Sequence, residues 1–355
     1  MIRKTVLIVI ILVMLGGCIN QEANNTGIVI SDALEREISL PKNLDRIVIA
    51  GKQTPTLANF AYLFDSSAEK VIAIENRSQS SNNFLSLLDT NFISKLTIEK
   101  GAGAEQISPA DPDVVILMTS MKEQIGDQLE SVGITPVYVS FETIEEIYRD
   151  IRIFGTLLDG VETAEKIVDF YSNTKNEIDQ LISSSKTSPR VLILQIDKSE
   201  GNLVYSVPSA SWLQTAMVEE LMGQPVWKAE ASAGGWMEIS IEQVFVWQPE
   251  IVIVVNYQGR SVEIINEITN NPVWSEFLNN SKTMINPFAY DYQSWDQPDP
   301  RWILGYANLA HYLHPEIIST TFLYDLVRDF YHDLYGLEIE FIDSEIIPLV
   351  QLQIE

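Results

Sequence analysis

The sequence predicts an α/β protein: two Rossmann-like lobes with central, mostly parallel sheets, joined by one long connecting helix, with a ligand cleft between the lobes. Three observations lead there. From Val161 to Ser185, the residues Ala164, Ile167, Val168, Tyr171, Ile178, Leu181 and Ile182 fall at three- and four-residue steps with no Pro or Gly among them. That is one apolar stripe on a helix of about seven turns. The flanking segments repeat one another: Glu105-Gln106-Ile107 and Pro112-Asp113-Val114-Val115-Ile116-Leu117 recur 137 positions later as Glu242-Gln243-Val244 and Pro249-Glu250-Ile251-Val252-Ile253-Val254. Short aliphatic runs alternate with helical segments in both halves, the pattern of a doubly wound sheet.

Size and composition agree with this plan. A chain of 355 residues suits two domains, each large enough to bury its own core. Hydrophobic residues at 46% and charged residues at 20% are those of a globular protein. Lys and Arg number 23 against 49 Asp and Glu, a net charge of -26, which argues against nucleic acid as a partner.

In chain order, residues 1–17 read as an address. Arg3-Lys4, the apolar run Thr5 to Leu15 and the small residues Gly16-Gly17 form a secretory signal, too short for a lasting membrane span. Leu15-Gly16-Gly17-Cys18 resembles the lipobox of bacterial and archaeal lipoproteins, which implies cleavage before Cys18 and lipidation of that residue. One lipid chain binds reversibly, so the anchor is expected to be multiply acylated or ether-linked. Cys18 is the only cysteine, which excludes a disulfide, a cysteinyl metal site and a thiol catalyst from the mature fold. Residues 18–27 then form the lipidated cysteine and a polar, flexible tether.

The N-terminal lobe spans 28–160. Residues 28–41 read as a hairpin, 46–50 as a buried strand, and Gly51-Lys52-Gln53-Thr54-Pro55 as a turn into a helix reaching about Phe64. Further strands fall at 70–74, 114–118 and 135–139, with a helix over 84–88. The connecting helix takes 161–186, and the C-terminal lobe 187–355 opens with a strand at 190–194. A helix over 212–221, strands at 251–255 and 283–286, and two closing helices over 302–313 and 321–335 follow.

Ligands of open α/β sheets bind at the carboxyl ends of the strands. The loops there offer Lys52, Gln53 and Thr54, then Asn76 and Arg77, then Thr119 to Lys122 from the first lobe. The second offers Ser209 to Trp212, Trp236, Tyr257 and the segment from Tyr290 to Trp295. Aromatic residues supply flat apolar walls, and Arg or Lys matches carboxylate or oxyanion groups. Arg301 stands either for a ligand's anionic group or for a pair with Asp296 or Asp299.

Several stretches resemble the substrate-binding proteins of ABC importers of the class joined by one rigid helix, which take up iron-siderophores, haem, cobalamin and some metal oxyanions. Asp32-Ala-Leu-Glu-Arg-Glu-Ile-Ser-Leu-Pro41 with Asp45-Arg-Ile-Val is similar to the usual start of that family, as are Glu105 through Leu117 and Glu242 through Val254. Ser294-Trp-Asp-Gln-Pro-Asp-Pro-Arg-Trp302, Leu313-His-Pro-Glu316 and Asp329-Phe-Tyr-His-Asp-Leu-Tyr-Gly336 resemble its iron-complex branch. The resemblance implies a monomeric, membrane-tethered receptor outside the cytoplasm. Such a receptor captures a metal chelate, an iron complex first, and hands it to a permease dimer with its ATPase. Cobalamin, haem, molybdate or tungstate share this frame, as does a non-transport sensor. It further implies that Glu105 and Glu242 dock into arginine pockets of the permease, and that the protein needs no cofactor of its own.

Catalysis has little support. His311, His314 and His332 lie in the terminal helices as surface histidines with no carboxylate pattern to complete a metal site. Gly101-Ala-Gly103-Ala lacks the third glycine of a dinucleotide loop, and Asp291, Asp296 and Asp299 sit in a Pro-rich loop that suits shaping a cleft.

Overall fold

The computed structural model describes residues 27–77, 84–199, 201–232 and 234–350. The signal segment, Cys18 and all of the tether but Gly27 lie outside them. The N-terminal lobe opens with the antiparallel hairpin β1 (Ile28–Ser31) and β2 (Glu37–Leu40). It continues through β3 (Ile47–Ile49), α1 (Thr54–Ala61), β4 (Val71–Ile74), α2 (Ala104–Ile107), β5 (Val114–Met118), β6 (Pro136–Val139) and α3 (Ile144–Leu157). These strands form a parallel sheet in the order β4-β3-β5-β6. Strands β3, β5 and β6 are buried along their whole length, which is why β3 and β5 read as unbroken apolar runs.

The connecting helix α4 (Val161–Ile182) buries Ala164, Ile167, Val168, Tyr171, Ile178 and Ile182. Leu181, placed on the same stripe by its spacing, is 42% exposed. The C-terminal lobe holds β7 (Arg190–Ser199), β8 (Asn202–Val207), α5 (Leu213–Glu220), β9 (Gln224–Pro225), β10 (Met237–Ile239), α6 (Ile241–Trp247) and β11 (Ile251–Val255). It ends with α7 (Ser261–Thr269), α8 (Pro272–Ser281), β12 (Met284–Pro287), α9 (Trp302–Leu313) and α10 (Thr320–Tyr335). Its sheet runs β10-β8-β7-β11-β12, with β9 beside β7. Pairs around β11 are parallel, while β8 pairs antiparallel with both β7 and β10. Sequence reading ended the first strand of this lobe at Leu194; it runs on to Ser199 and turns back as β8.

The repeat reaches the level of single atoms. Asp111 and Gln248, 137 positions apart, both adopt the left-handed conformation, at φ 47° and 44°. Each turns a helix end toward a buried strand, a place where glycine is the usual choice. An arginine secures each turn. Arg46 donates from Nε to the Asp111 carbonyl (2.7 Å) and from Nη2 to that of Ala110 (2.5 Å). Arg190 donates likewise to the Gln248 (3.3 Å) and Trp247 (2.5 Å) carbonyls. Asp113 accepts the Arg46 amide at 3.0 Å and Glu250 accepts the Arg190 amide at 2.8 Å.

The two lobes also touch away from α4. Asn59 of α1 donates to Asp299 at 2.5 Å, and Phe84 packs edge-on against Tyr331 and Tyr335 of α10. Among the described residues no helix is long and apolar enough to cross a membrane.

Candidate functional site

The turn after β3 is shaped by Gly51 at φ +84°, where a Cβ would come within 2.9 Å of the Met121 side chain, and by Gln53 in the left-handed region. The chain thereby enters α1 with Pro55 in the first turn and with no side chain capping the helix. Across the interlobe space, α5 starts at Trp212, again without a side-chain cap. Helices α3, α6, α8 and α10 are capped by Thr143, Ser240, Asn271 and Ser319, while α4, α7 and α9, like α1 and α5, have no side-chain cap. The first N–H groups of a helix have no partner inside it, so two helix starts offer free donors and positive dipole ends to one space.

That space is a cleft of about 300 Å³. The N-terminal lobe lines it with Gln53, Thr56, Met118, Thr119, Ser120, Ser140 and Glu142, and the C-terminal lobe with Trp212, Leu213, Gln214, Trp236, Tyr257, Gln297 and Pro298. Three rings form a corner: Trp212 meets Trp236 at 5.7 Å and 79°, and Trp236 meets Tyr257 at 6.1 Å and 70°, both the edge-to-face arrangement that ring quadrupoles favour. Among the described residues that line it, Glu142 is the only ionisable carboxylate, and no Lys or Arg joins it.

Charge stands one layer back. Behind the N-terminal wall, Arg149 donates to the Ser140 hydroxyl at 2.6 Å and to the buried Asp150 at 2.8 Å. Burial pushes the Asp150 carboxyl up, against the pull of Arg149 and the Ser140 and Phe141 amides. Behind the C-terminal wall, Asp296 has no exposed surface and accepts from Gln214 Nε2 (3.0 Å), the Tyr257 hydroxyl (3.0 Å) and the Ser294 hydroxyl (2.6 Å). Among the described residues no Lys or Arg pairs with it, and burial raises its carboxyl above the usual aspartate range. Burial and the Asp296 charge together hold the Tyr257 phenol protonated, so its proton goes to Asp296, while its oxygen accepts from the Trp236 indole beside it.

Of the residues named from sequence, the fold brings Gln53, Thr119, Ser120, Trp212, Trp236 and Tyr257 together on the cleft walls. Lys52 is exposed outside them, and Arg77 is held to Glu75 at 2.6 Å. Tyr290 is buried against Gly259, and Trp295 has no exposed surface. Arg301 is a correction. Its guanidinium lies wholly buried, 3.0 Å from Asp291 and 2.8 Å from Asp299, bonded to Tyr331 and stacked 4.9 Å over Phe84. Two carboxylates already neutralise that charge, so it is core architecture and not a ligand contact. His314 is corrected too: expected on a helix surface, it is 3% exposed, with Nε2 2.8 Å from the Leu221 carbonyl. Lys122 pairs with Asp127 at the surface, and the Thr54 hydroxyl turns inward to the Glu75 carbonyl. Sequence reading missed Thr56, Met118, Ser140, Glu142, Gln214 and Gln297. The Ser140-Phe141-Glu142 segment follows a strand and was open to the rule that found the others.

Glu105 and Glu242 occupy the same position in the first turns of α2 and α6, and both are exposed. The Ser240 hydroxyl and its own backbone amide hold the Glu242 carboxyl below the usual glutamate range. Among the described residues no group of three or more His, Asp or Glu is placed to hold a metal ion.

A family described as periplasmic binding protein matches residues 75–279, more than half of the chain. The molybdate-binding protein MolA of Haemophilus influenzae is 23% identical over 329 residues, covering 86% of this chain and 90% of MolA. A periplasmic solute binding protein from Veillonella parvula superposes with a TM-score of 0.73 at 22% identity over 91% of this chain and 98% of its own. Helicobacter pylori CeuE with nickel(II) bound superposes at 0.67 and 17% identity, over 91% of this chain and 100% of CeuE. The chain thus belongs to the periplasmic binding protein family, as a solute-binding protein of an ABC transporter and a transport component, not an enzyme.

Proposed function

We propose that the protein captures a compact metal chelate, an iron complex first, and delivers it to an ABC permease with its ATPase. The observation that carries this reading is the corner of Trp212, Trp236 and Tyr257 facing the open start of α1 across a cleft of about 300 Å³. The rings cover the organic part of a chelate, and the free N–H groups of α1 and α5 take its anionic oxygens. With no Lys or Arg among the described residues of the walls, a ligand whose charge is already offset by its own metal fits better than a naked dianion. The same proposal tethers the chain through a lipidated Cys18 and docks it, as a monomer, through Glu105 and Glu242.

A second reading, a metal oxyanion such as molybdate or tungstate, draws on the two uncapped helix starts and on the likeness to MolA. Calorimetric titration separates the two, using ferric catecholate and hydroxamate complexes, nickel–histidine, haem, cobalamin, molybdate and tungstate. A chelate is expected to bind most tightly and to quench tryptophan fluorescence. Molybdate binding most tightly, with fluorescence unchanged, would replace the first reading by the second; binding of a carbohydrate or peptide alone would remove both.

A further inference from the structure

We infer that Glu75 is a positioning residue that ties the ligand wall of the N-terminal lobe to its docking glutamate. The inference rests on the docking reading of Glu105. Glu75 follows β4 and has no exposed surface. Its Oε2 accepts the Gly51 amide at 2.6 Å, and its Oε1 accepts the Gly101 amide at 2.8 Å and Arg77 Nε at 2.6 Å. Gly51 lies two residues before Gln53 on the cleft wall, and Gly101 four before Glu105. Both glycines sit at φ +84°, so each amide is aimed at the carboxylate by a turn that side chains rarely permit.

The backbone reinforces the link. The Glu75 amide donates to the Ile49 carbonyl at 2.9 Å, the Asn76 amide to that of Ile98 at 2.8 Å, and Glu75 bridges to Ile98 in parallel register. The strand that feeds the cleft turn and the segment that leads to α2 therefore both lie against Glu75. An ionised carboxylate only accepts, so it can hold two backbone donors and a guanidinium at once.

The C-terminal lobe shows why such a tie matters. There the link is covalent: Trp236 on the cleft wall runs straight into β10, Ser240 caps α6, and Glu242 follows Trp236 by six positions. Gln53 and Glu105 are 52 positions apart in the chain. In the N-terminal lobe wall and dock keep a fixed relation through Glu75 instead.

The test is Glu75→Gln, which keeps the shape but puts an amide N–H₂ where one of the glycine donors points. Hydrogen exchange of the purified protein, needing neither ligand nor permease, is expected to speed up by about tenfold or more at the glycine whose acceptor becomes N–H₂, as a lost buried hydrogen bond would allow, and, because one side chain holds both turns, to rise at the other glycine as well, with β11 amides unchanged. Acceleration at one glycine alone, or at neither, overturns the tie. If β11 exchange shows that Glu75→Gln unfolds, Gly101→Ala takes its place. Its Cβ would meet nothing within 4 Å, so the variant strains only the docking-side turn. Exchange at Gly51 must then rise, and an unchanged Gly51 overturns the tie. In parallel, Glu105→Gln and Glu75→Gln are bound to nanodiscs carrying the permease, where both should weaken association severalfold. Normal docking of Glu105→Gln would remove the docking reading and leave the exchange result to judge the tie. Weak docking of Glu105→Gln beside normal docking of Glu75→Gln would overturn the positioning role.

Discussion

Behind the N-terminal wall of the cleft, Ser140 is held by Arg149, whose charge meets Asp150; behind the C-terminal wall, Tyr257 and Gln214 lean on Asp296, with which no Lys or Arg among the described residues pairs. The lobes otherwise share strand order around the repeat, the left-handed turn at Asp111 and Gln248, and the arginine that secures it. The two lobes share what the backbone requires, while the groups behind the cleft walls differ. One wall presents a serine hydroxyl that accepts from an arginine behind it; the other presents a phenol that donates to a buried aspartate and accepts from the Trp236 indole.

The largest test of the contrast uses stability. The N-terminal lobe also buries Asp89, but beside Lys95 at 2.6 Å, with Tyr62 at 2.7 Å and the Asn91 amide at 2.8 Å. Burial raises the Asp89 carboxyl, yet Lys95, Tyr62 and the amide outweigh it and the net direction is down. Asp296 goes up. A depressed folded-state pKa means stability that is present above the ordinary aspartate range and lost as pH falls through the folded value. A raised one means the ionised group costs stability at neutral pH, and the cost disappears as pH falls through the folded value. Asp89→Asn should therefore destabilise at pH 7 by about 3 kcal/mol, since it leaves Lys95 buried without its partner, and by less in acid. Asp296→Asn should be close to neutral or stabilising at pH 7, with the difference from wild type shrinking in acid. Thermal unfolding across about pH 4 to 8 reads both. Parallel pH profiles for the two variants would erase the distinction.

Ligand affinity gives the next test. Trp212→Ala with Trp236→Ala is expected to weaken chelate binding by about 2 kcal/mol or more, roughly thirtyfold in Kd, as for buried aromatic anchors. Ser140→Ala, which removes one donor from the opposite wall, should cost about 1 kcal/mol. Calorimetry with a single chelate compares them. A greater loss from Ser140→Ala would move the centre of binding to the N-terminal lobe and favour the oxyanion reading.

How much of this was legible follows from what periodicity encodes. The connecting helix and the strands β3, β5 and β11 are visible because continuous burial leaves continuous aliphatic runs. The antiparallel β8 and β10 are not, because half-exposed strands such as Asn202–Val207 carry mixed residues. Gln53 and Tyr257 could be named because topology puts the ends of parallel strands at the cleft, whereas Trp212 and Trp236 flank the antiparallel β8 and β10 and stood out only as aromatic residues in loops. Arg301 could not be excluded that way. Residue type suits it to an anion, and only the fold shows Asp291 and Asp299 closing on it. Gln214 and Gln297 carry no pattern at all, being set by where a helix starts and a loop ends.

The smallest expected effect sharpens the claim of duplication itself. Arg46 and Arg190 each donate to the last carbonyls of a short helix, and each backbone amide is accepted by the acid that opens the following strand. Both arginines are exposed, so neither compensates a buried charge, and what each contributes is the satisfaction of helix-end carbonyls. Arg46→Met and Arg190→Met should each lower stability by about 1 kcal/mol, the scale of one or two such bonds net of water. Because the turns match atom for atom, the two losses should be equal within about 0.5 kcal/mol and additive in the double variant, the sites being far apart. Urea unfolding of the three variants measures this. A cost at Arg46 with none at Arg190 would mean that the shared turn is a common solution to feeding a strand from a helix, reached separately in each lobe, and that the 137-position repeat reflects architecture and not duplication.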